Sequence, residues 1–180
     1  MTSCEKIVST TKQWLSDFVI ELNLCPFAKR EYVTNSIRYT VVESDREIEL
    51  LNTLHDEITY LIANQEVSTT LLIHPKLLIE FDDYNQFLDL ADNLLEQQNW
   101  DGEFQIASFH PDYRFAGTAD DDAENFTNRS PYPMLHILRE NLVEKAVEAY
   151  PDIETIPTNN IELMTKLGSK ELQTKLRGLF

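Results

Sequence analysis

The sequence predicts an α/β fold in which helices cover a small, mostly parallel sheet of about three to four strands. We expect residues 1–180 to form a single compact domain. The chain has 180 residues and is 42% hydrophobic, which is enough to bury one core without disulfides. After an N-terminal helix, strand and helix patterns alternate along the chain. Such alternation favours right-handed crossovers between parallel strands.

The N-terminal helix has a clear start and a clear end. Thr2 and Glu5 are spaced as a capping box, and apolar side chains recur at helical spacing over Ile7–Leu22. Pro26 disfavours helical geometry at the residue before it, so we expect the helix to end there. Two further helices are predicted, one after a capping box at Ser44 and Glu47 and continuing to Ile62, the other from Asp82 to Leu95.

Three segments have the alternation or the apolar composition of strands. They are Ile37–Val41, Thr69–His74 and Phe104–Phe109. We expect an additional antiparallel strand near Tyr32 or at Ile153–Ile156. The last thirty residues are predicted to form two short helices, which separate at Gly168 and Ser169.

A further helix is predicted after the third strand. Ser130 is placed as its N-cap and Pro131 at its first position, and an apolar stripe runs from Leu135 to Ala146. Arg139 falls inside that stripe. A cation on a buried face needs a carboxylate or a bound anion, so an ion pair with one of Asp120–Asp122 and an anion site both remain open.

The charge and the cysteines limit the expected partners. The formal charge is −16, from 31 acidic and 15 basic side chains, so we expect neither nucleic acid nor a membrane as a partner. A small anionic ligand would need a local concentration of basic residues. The sequence has no long apolar run and no apolar signal-peptide core, so we expect a cytoplasmic location. Cys4 and Cys25 are expected to be free thiols.

Two predicted strands end in His-Pro, at His74 and His110. If these strands are parallel, both histidines lie at the carboxyl edge of the sheet, where open α/β sheets bind ligands. For His74 we favour the simple termination of a strand. His110 is the stronger candidate because the segment Phe109–Arg139 that begins there is long, polar and rich in aromatic anchors. Such long connections are usually functional.

This segment supplies most of the candidate site residues. The catalytic candidates are His110, Asp112, Asp121, Asp122 and His136, with Cys25 as a distant contributor. The ligand-binding candidates are Asn125, Asn128, Arg129, Ser130 and Arg139.

Cys25 lies far from this segment in the sequence. It follows a helix, so no N-terminal dipole is expected to lower its pKa. Lys29 and Arg30 are close in sequence and favour the thiolate, but a buried, inert cysteine is the commoner outcome.

Three hypotheses fit this set of residues. In the first, the protein is an enzyme for a small polar or anionic metabolite, with His/Asp general acid–base chemistry and arginine anchoring. In the second, His110, Asp112, Asp121, Asp122 and His136 bind a catalytic metal. In the third, the segment is a structural polar network of a non-enzymatic binding or interaction module. The cofactor, the metal and the oligomeric state stay open.

Four stretches carry a resemblance to a known family. They are NLCPFA at 23–28, FDDYN at 81–85, HPDYRFAGT at 110–118 and TNRSPYPMLH at 127–136. Over essentially its whole length the chain resembles a bacterial family catalogued as domain of unknown function 1415. The resemblance implies no reaction, but it supports a site in the segment. Its motif positions here are Cys25, His110, Asp112, Asp121, Asp122, Asn125, Asn128, Arg129, Ser130 and His136. A glutamine often stands in the family where this chain has Arg114, which makes Arg114 a weaker candidate.

Overall fold

One sheet of four strands lies at the centre of the structure, a computed structural model that describes residues 2–150 and 153–180. The strands are β1 (Ile37–Val41), β2 (Thr69–Ile73), β3 (Phe104–Phe109) and β4 (Met134–Arg139), in the spatial order β1-β2-β4-β3. β1 and β2 pair in parallel, whereas β4 is antiparallel to both β2 and β3. The predicted α/β class and the three predicted strands are confirmed. The sheet is mixed, however, and the expectation of a mostly parallel sheet is wrong.

β4 occupies residues for which the sequence predicted the start of a helix. Leu135 and Ile137 belong to the apolar cluster on one face of the sheet, and Met134 belongs to the cluster on the other face. A strand that is buried on both faces has no clean two-residue alternation, so its apolar residues also fit helical spacing. β4 is therefore the additional antiparallel strand, which we had expected near Tyr32 or at Ile153–Ile156. Both of those segments are helical.

Seven α-helices surround the sheet in the described part of the chain. They are α1 (Ser3–Trp14), α2 (Ala28–Val33), α3 (Glu47–Ala63), α4 (Phe81–Gln97), α5 (Glu140–Ala149), α6 (Ile156–Leu167) and α7 (Ser169–Arg177). The capping box of Thr2 and Glu5 is confirmed, and a π-helical segment, Leu15–Ile20, continues α1. The second predicted capping box does not form, because the Ser44 hydroxyl accepts from the Arg46 amide at 3.1 Å.

Apolar side chains form a cluster on each face of the sheet. One cluster packs α3 and α4 against Leu72, Leu135 and Ile137. The other packs α1, α6 and α7 against Leu71, Ile73 and other residues of the opposite face. The C-terminal helices α6 and α7 therefore cover the sheet face on which α1 also lies. No helix in the described part of the chain is long and apolar enough to cross a membrane.

Arg139, at the end of β4, caps the C-terminus of α3. Its guanidinium donates to the carbonyl oxygens of Leu61, of Asn64 at 3.2 Å and of Val67 at 3.1 Å. These acceptors lie at the negative end of the helix dipole, where a cation is stabilised. No ion pair joins Arg139 to a carboxylate among residues 2–150 and 153–180. The expected pair with Asp120–Asp122 is therefore not formed, because Arg139 lies at the opposite end of the sheet.

We predict that Arg139→Gln lowers the free energy of unfolding by about 3 kcal/mol, because the substitution leaves buried carbonyl oxygens without a donor. Urea denaturation measures this loss. The matched control is Arg30→Gln, since the Arg30 side chain is 85% exposed. We expect the control to change stability by less than about 0.5 kcal/mol. Equal losses in the two variants would contradict a structural role for Arg139.

Candidate functional site

The polar loop, residues 110–133, leaves β3 at the carboxyl edge of the sheet and returns as β4. Its base is closed by backbone hydrogen bonds. The His110 amide donates to the Asn128 carbonyl at 3.2 Å, and the Ser130 amide donates to the His110 carbonyl at 3.3 Å. Within the loop, Ala123–Thr127 form a 3-10 helix on which α6 and α7 pack. The loop is therefore an integral part of the fold.

His74 and His110 lie at the same edge of the sheet, as predicted, because β2 and β3 run in the same direction on either side of β4. His110 uses both ring nitrogens: Nε2 donates to the Leu78 carbonyl at 3.1 Å, and Nδ1 accepts from the Asp112 amide at 3.0 Å. His74 donates from Nδ1 to the Leu77 carbonyl at 2.9 Å. Its Nε2 is buried without a partner among the described residues.

These two histidines hold the connection between β2 and α4 in a strained conformation. Their ring nitrogens bind the carbonyls of consecutive residues, Leu77 and Leu78. Leu78 has φ +55°, which is unfavourable for a residue with a branched side chain. Tyr84 contacts both imidazole rings, with centroid distances of 5.9 Å to His74 and 5.0 Å to His110. These contacts show that His110 has a structural role, which is to hold the connection between β2 and α4 in place.

Burial keeps the histidines of this region neutral. It lowers the pKa of His74 to about 4 and that of His136 to about 4. Burial also lowers the pKa of His110, and this effect outweighs the hydrogen bond to Leu78 and the nearby Asp112 carboxylate. Desolvation disfavours the charged imidazolium in each case.

Asn125 is the centre of the hydrogen-bond network inside the polar loop. Its side chain is fully buried. The carbonyl Oδ1 accepts from the Phe115 amide at 3.0 Å and from the Thr118 hydroxyl at 2.8 Å, and Nδ2 donates to the Ala119 carbonyl at 2.7 Å. One side chain thus satisfies three groups of the loop. The contacts of this amide are directed inward, to the protein itself.

The aspartates of the polar loop are exposed and differ in their contacts. Asp122 Oδ2 accepts from the Ala119 amide at 2.8 Å. Asp120 pairs with Arg114 at 2.7 Å, and Arg114 also reaches Asp82 of α4 at 3.4 Å. Asp112 contributes its amide to His110, as described above. The Asp121 carboxylate has no hydrogen bond or ion pair within the described part of the chain, and it faces a cleft.

Two more candidates bind the backbone. Asn128 Nδ2 donates to the Ser108 carbonyl at 3.1 Å, and the Ser130 hydroxyl donates to the Tyr132 carbonyl at 2.7 Å. The first contact fastens the end of the polar loop to β3, and the second lies within the loop just before β4 begins. Ser130 is not a helix cap, because β4 follows it instead of a helix.

Arg129 is the exception in this network. Only 8% of the residue is exposed, yet its guanidinium has no ion pair with a carboxylate in the described part of the chain. Nε donates to the Tyr113 carbonyl at 3.3 Å and Nη2 to the Asp120 carbonyl at 2.5 Å. The third nitrogen, Nη1, has no hydrogen bond to a described residue. Burial lowers the pKa of Arg129, and Asp112 and Asp120 offset only part of that effect.

A cleft of about 510 Å³ opens beside Arg129, between the polar loop and α7. The loop contributes Asp120, Asp121, Phe126 and Arg129 to its wall, and α7 contributes Ser169, Lys170, Gln173, Thr174 and Arg177. We call this the Arg129 cleft. It brings together two of the predicted site residues, Asp121 and Arg129.

The cleft residues of α7 are not among the site residues predicted from the sequence. Lys170, Gln173, Thr174 and Arg177 are spaced so that they share one face of the helix. This spacing was visible in the sequence. However, it is also typical of any solvated helix face, and only the packing of α7 on the polar loop makes it the wall of a cleft.

Nine of the eleven predicted site residues do not line the Arg129 cleft, and three of these nine lie outside the polar loop. Arg139 caps α3. His136, in the middle of β4, packs against Phe109 with ring centroids 6.1 Å apart and has no hydrogen bond to a described residue. Cys25 lies beside the apolar cluster formed by α1, α6 and α7. These three residues do not line the cleft, although the sequence assigned all of them to one site.

The surroundings of Cys25 differ from those expected. The short helix α2 begins at Ala28, so Cys25 precedes a helix as well as following one. The amides of Phe27 and Ala28 lower the pKa of the thiol, but burial raises it more, and the pKa lies above its usual value. The thiolate is therefore disfavoured.

No group of three or more His, Cys, Asp or Glu side chains within residues 2–150 and 153–180 is arranged to hold a metal ion. The five residues of the metal hypothesis do not converge on one point in the described part of the chain. His136 lies within the sheet, whereas Asp121 faces the cleft.

The comparison with protein families agrees with the resemblance noted above. Residues 6–174 match the family described as Protein of unknown function (DUF1415). The chain belongs to this family. The matched region contains the whole polar loop and most of α7. Comparisons with curated proteins and with solved structures gave no match. Family membership therefore indicates no reaction, and the function has to be inferred from the geometry of the site.

We predict that Asn125→Ala lowers the free energy of unfolding by about 3 kcal/mol, because it leaves three polar groups of the loop without their partner. Urea denaturation followed by circular dichroism measures the loss. Asn52→Ala is the matched control, since Asn52 is exposed on α3, and we expect a change below about 0.5 kcal/mol. A loss of less than about 1 kcal/mol for Asn125→Ala would show that the network does not stabilise the fold.

We also predict that stability falls as the pH decreases from about 6.5 to 4. The folded-state pKa of His74, about 4, lies below the unfolded value of about 6.5, so the unfolded chain binds a proton first. His74 has little effect on stability above pH 6.5 and costs about 2 kcal/mol at pH 5. The measurement is the free energy of unfolding at pH 7 and pH 5. His74→Asn cannot titrate and should reduce the difference between the two values, whereas Asn52→Ala, at an exposed site of α3, should not. An unchanged difference in His74→Asn would refute the assignment.

Proposed function

We propose that this protein binds a small anionic metabolite in the Arg129 cleft, with the guanidinium of Arg129 as the anchor. The observation that carries the proposal is a buried cation without a carboxylate partner in the described part of the chain. Burying an unpaired charge is costly. Two of the guanidinium nitrogens are satisfied by carbonyl oxygens, which leaves Nη1 to donate to a ligand.

Arg139 is the internal comparison for this argument. It is also a buried arginine without an ion pair, but three carbonyl acceptors and the negative end of the α3 dipole stabilise it. Arg129 has no helix terminus of this kind, and a cleft of ligand size opens beside it. The Phe126 ring, with its centroid 4.4 Å from the guanidinium carbon, also stabilises Arg129. These internal contacts satisfy Nε and Nη2 but leave Nη1 for a ligand.

As for the chemistry, we propose an enzyme in which Asp121 is the group that exchanges protons with the bound metabolite. Asp121 faces the cleft and has no internal partner in the described part of the chain. The original hypothesis gave this role to His110 and His136. In the present proposal His110 is structural, because both its ring nitrogens are occupied by the backbone.

The other two hypotheses receive less support. The five metal candidates do not converge on one point in the described part of the chain, so the metal-dependent alternative has no supporting observation. The structural-network alternative accounts well for Asn125, Asn128 and Ser130, whose side chains bind internal groups. It accounts for Nε and Nη2 of Arg129, which bind loop carbonyls, but not for Nη1.

We propose a bacterial, cytoplasmic protein whose partner is a small molecule and not nucleic acid or a membrane. The formal charge of −16 supports this part of the proposal, because long-range repulsion disfavours polyanionic partners.

We predict that anionic metabolites raise the melting temperature of the wild-type protein and that Arg129→Gln abolishes this effect. Loss of a charge-assisted hydrogen bond should weaken binding about 10- to 100-fold. A thermal-shift screen followed by calorimetric titration of the hits measures this. Arg129→Lys keeps the cation if Arg129→Gln does not fold, and it should bind with intermediate affinity.

Arg30→Gln is the control for this prediction, because it removes the same charge from an exposed site. We expect it to bind the hits as the wild type does. The proposal is wrong if folded Arg129 variants bind every hit with wild-type affinity, or if only uncharged metabolites bind.

A further inference from the structure

The face of α7 that lines the Arg129 cleft carries two cations without ion-pair partners in the described part of the chain. Lys170 and Arg177 both face the cleft and are exposed. On the opposite side of the same helix, Lys175 pairs with Glu21 at 3.4 Å. The cations facing the cleft therefore differ from Lys175 in having no carboxylate partner among the described residues.

The position of Lys170 is also unfavourable for the helix itself. Lys170 lies in the first turn of α7, where the positive end of the helix dipole disfavours a cation. Helix stability therefore does not explain a lysine at this position. A bound anion would stabilise the lysine at this position. The buried guanidinium of Arg129, on the facing wall of the cleft, is a separate feature that also favours a negatively charged ligand.

The charges of the cleft give the expected charge of the ligand. Arg129, Lys170 and Arg177 contribute three positive charges. Asp120 pairs with Arg114 outside the cleft at 2.7 Å, and Arg114 also contacts Asp82 at 3.4 Å. Asp121 is the one carboxylate of the wall without an ion pair in the described part of the chain. With the pair of Asp120 and Arg114 counted as neutral, the remaining side chains of the wall carry a formal charge of +2. A carboxylate ligand supplies one negative charge, whereas a phosphate monoester supplies about 1.5 to 2 at neutral pH.

We infer that the ligand of the Arg129 cleft is a soluble phosphate monoester that carries hydroxyl groups, with its phosphate bound by Arg129, Lys170 and Arg177. This inference rests on the proposed function. Asp121 accepts from ligand hydroxyl groups, and Thr174 and Gln173 lie between the two cations of α7 to complete the polar wall. A phosphorylated polymer does not fit, because Asp17, Glu21 and Glu171 flank α7 on its other side and would repel it.

The test is calorimetric titration of the full chain with matched ligand pairs. The pairs are glycerol 3-phosphate with glycerate, ribose 5-phosphate with ribonate, and glucose 6-phosphate with gluconate. We expect at least one phosphate ester to bind about tenfold more tightly than its carboxylate counterpart, because of its second charge. We expect Lys170→Gln/Arg177→Gln to weaken that binding about tenfold. Both side chains are exposed, so this variant should fold normally.

The control double variant is Lys166→Gln/Lys175→Gln, which removes the same charge from exposed or partly exposed sites outside the Arg129 cleft. It should bind the phosphate ester as the wild type does. Equal or tighter binding of the carboxylates, still dependent on Arg129, would overturn the phosphate inference and leave the proposed function intact. If the protein bound only to phosphatidylcholine vesicles that contain phosphatidic acid, the inference that the ligand is soluble would be wrong. Failure of every anion to bind would overturn both proposals.

Discussion

β4 is hydrogen-bonded on both sides, to β2 and to β3, and the rest of the structure depends on this position. Because β4 is antiparallel to β3, the polar loop that connects them begins and ends at the same edge of the sheet. The backbone contacts between His110 and residues 128–130 close the loop at its base. At its other end, β4 carries Arg139 to the C-terminus of α3. The position of β4 therefore fixes the polar loop at one end of the sheet and Arg139 at the other.

The buried part of the polar loop has to satisfy its own hydrogen bonds, because α6 and α7 pack on its 3-10 helix, Ala123–Thr127. Asn125, Asn128 and His110 fulfil this need, and their polar atoms are largely consumed by the backbone. Among the polar groups without an internal partner in the described part of the chain, Nη1 of Arg129 and the Asp121 carboxylate belong to residues that line the same cleft.

The basic cleft is compatible with the strongly acidic surface, because the charges of the cleft act on a bound ligand at shorter distances than the charges of the surrounding surface do. At physiological ionic strength, interactions between exposed charges are largely screened beyond about 8 Å. A small anion inside the cleft is therefore influenced mainly by Arg129 and by the cations of α7. A large polyanion would also meet the surrounding carboxylates. The same arrangement thus favours a small ligand and disfavours nucleic acid.

The sequence by itself determined the elements that have one buried face or a strong local signal. These include α1 with its capping box, α3, α4, the first three strands and the position of the polar loop. Only the tertiary structure decided that residues 134–139 form the strand β4 and not a helix. Burial on both faces removes the alternation that identifies a strand in the sequence. The tertiary structure also decided which polar residues form a site. Arg129 and Lys170 line the same cleft because α7 packs on the polar loop. No local sequence pattern predicts that two such distant parts of the chain come together.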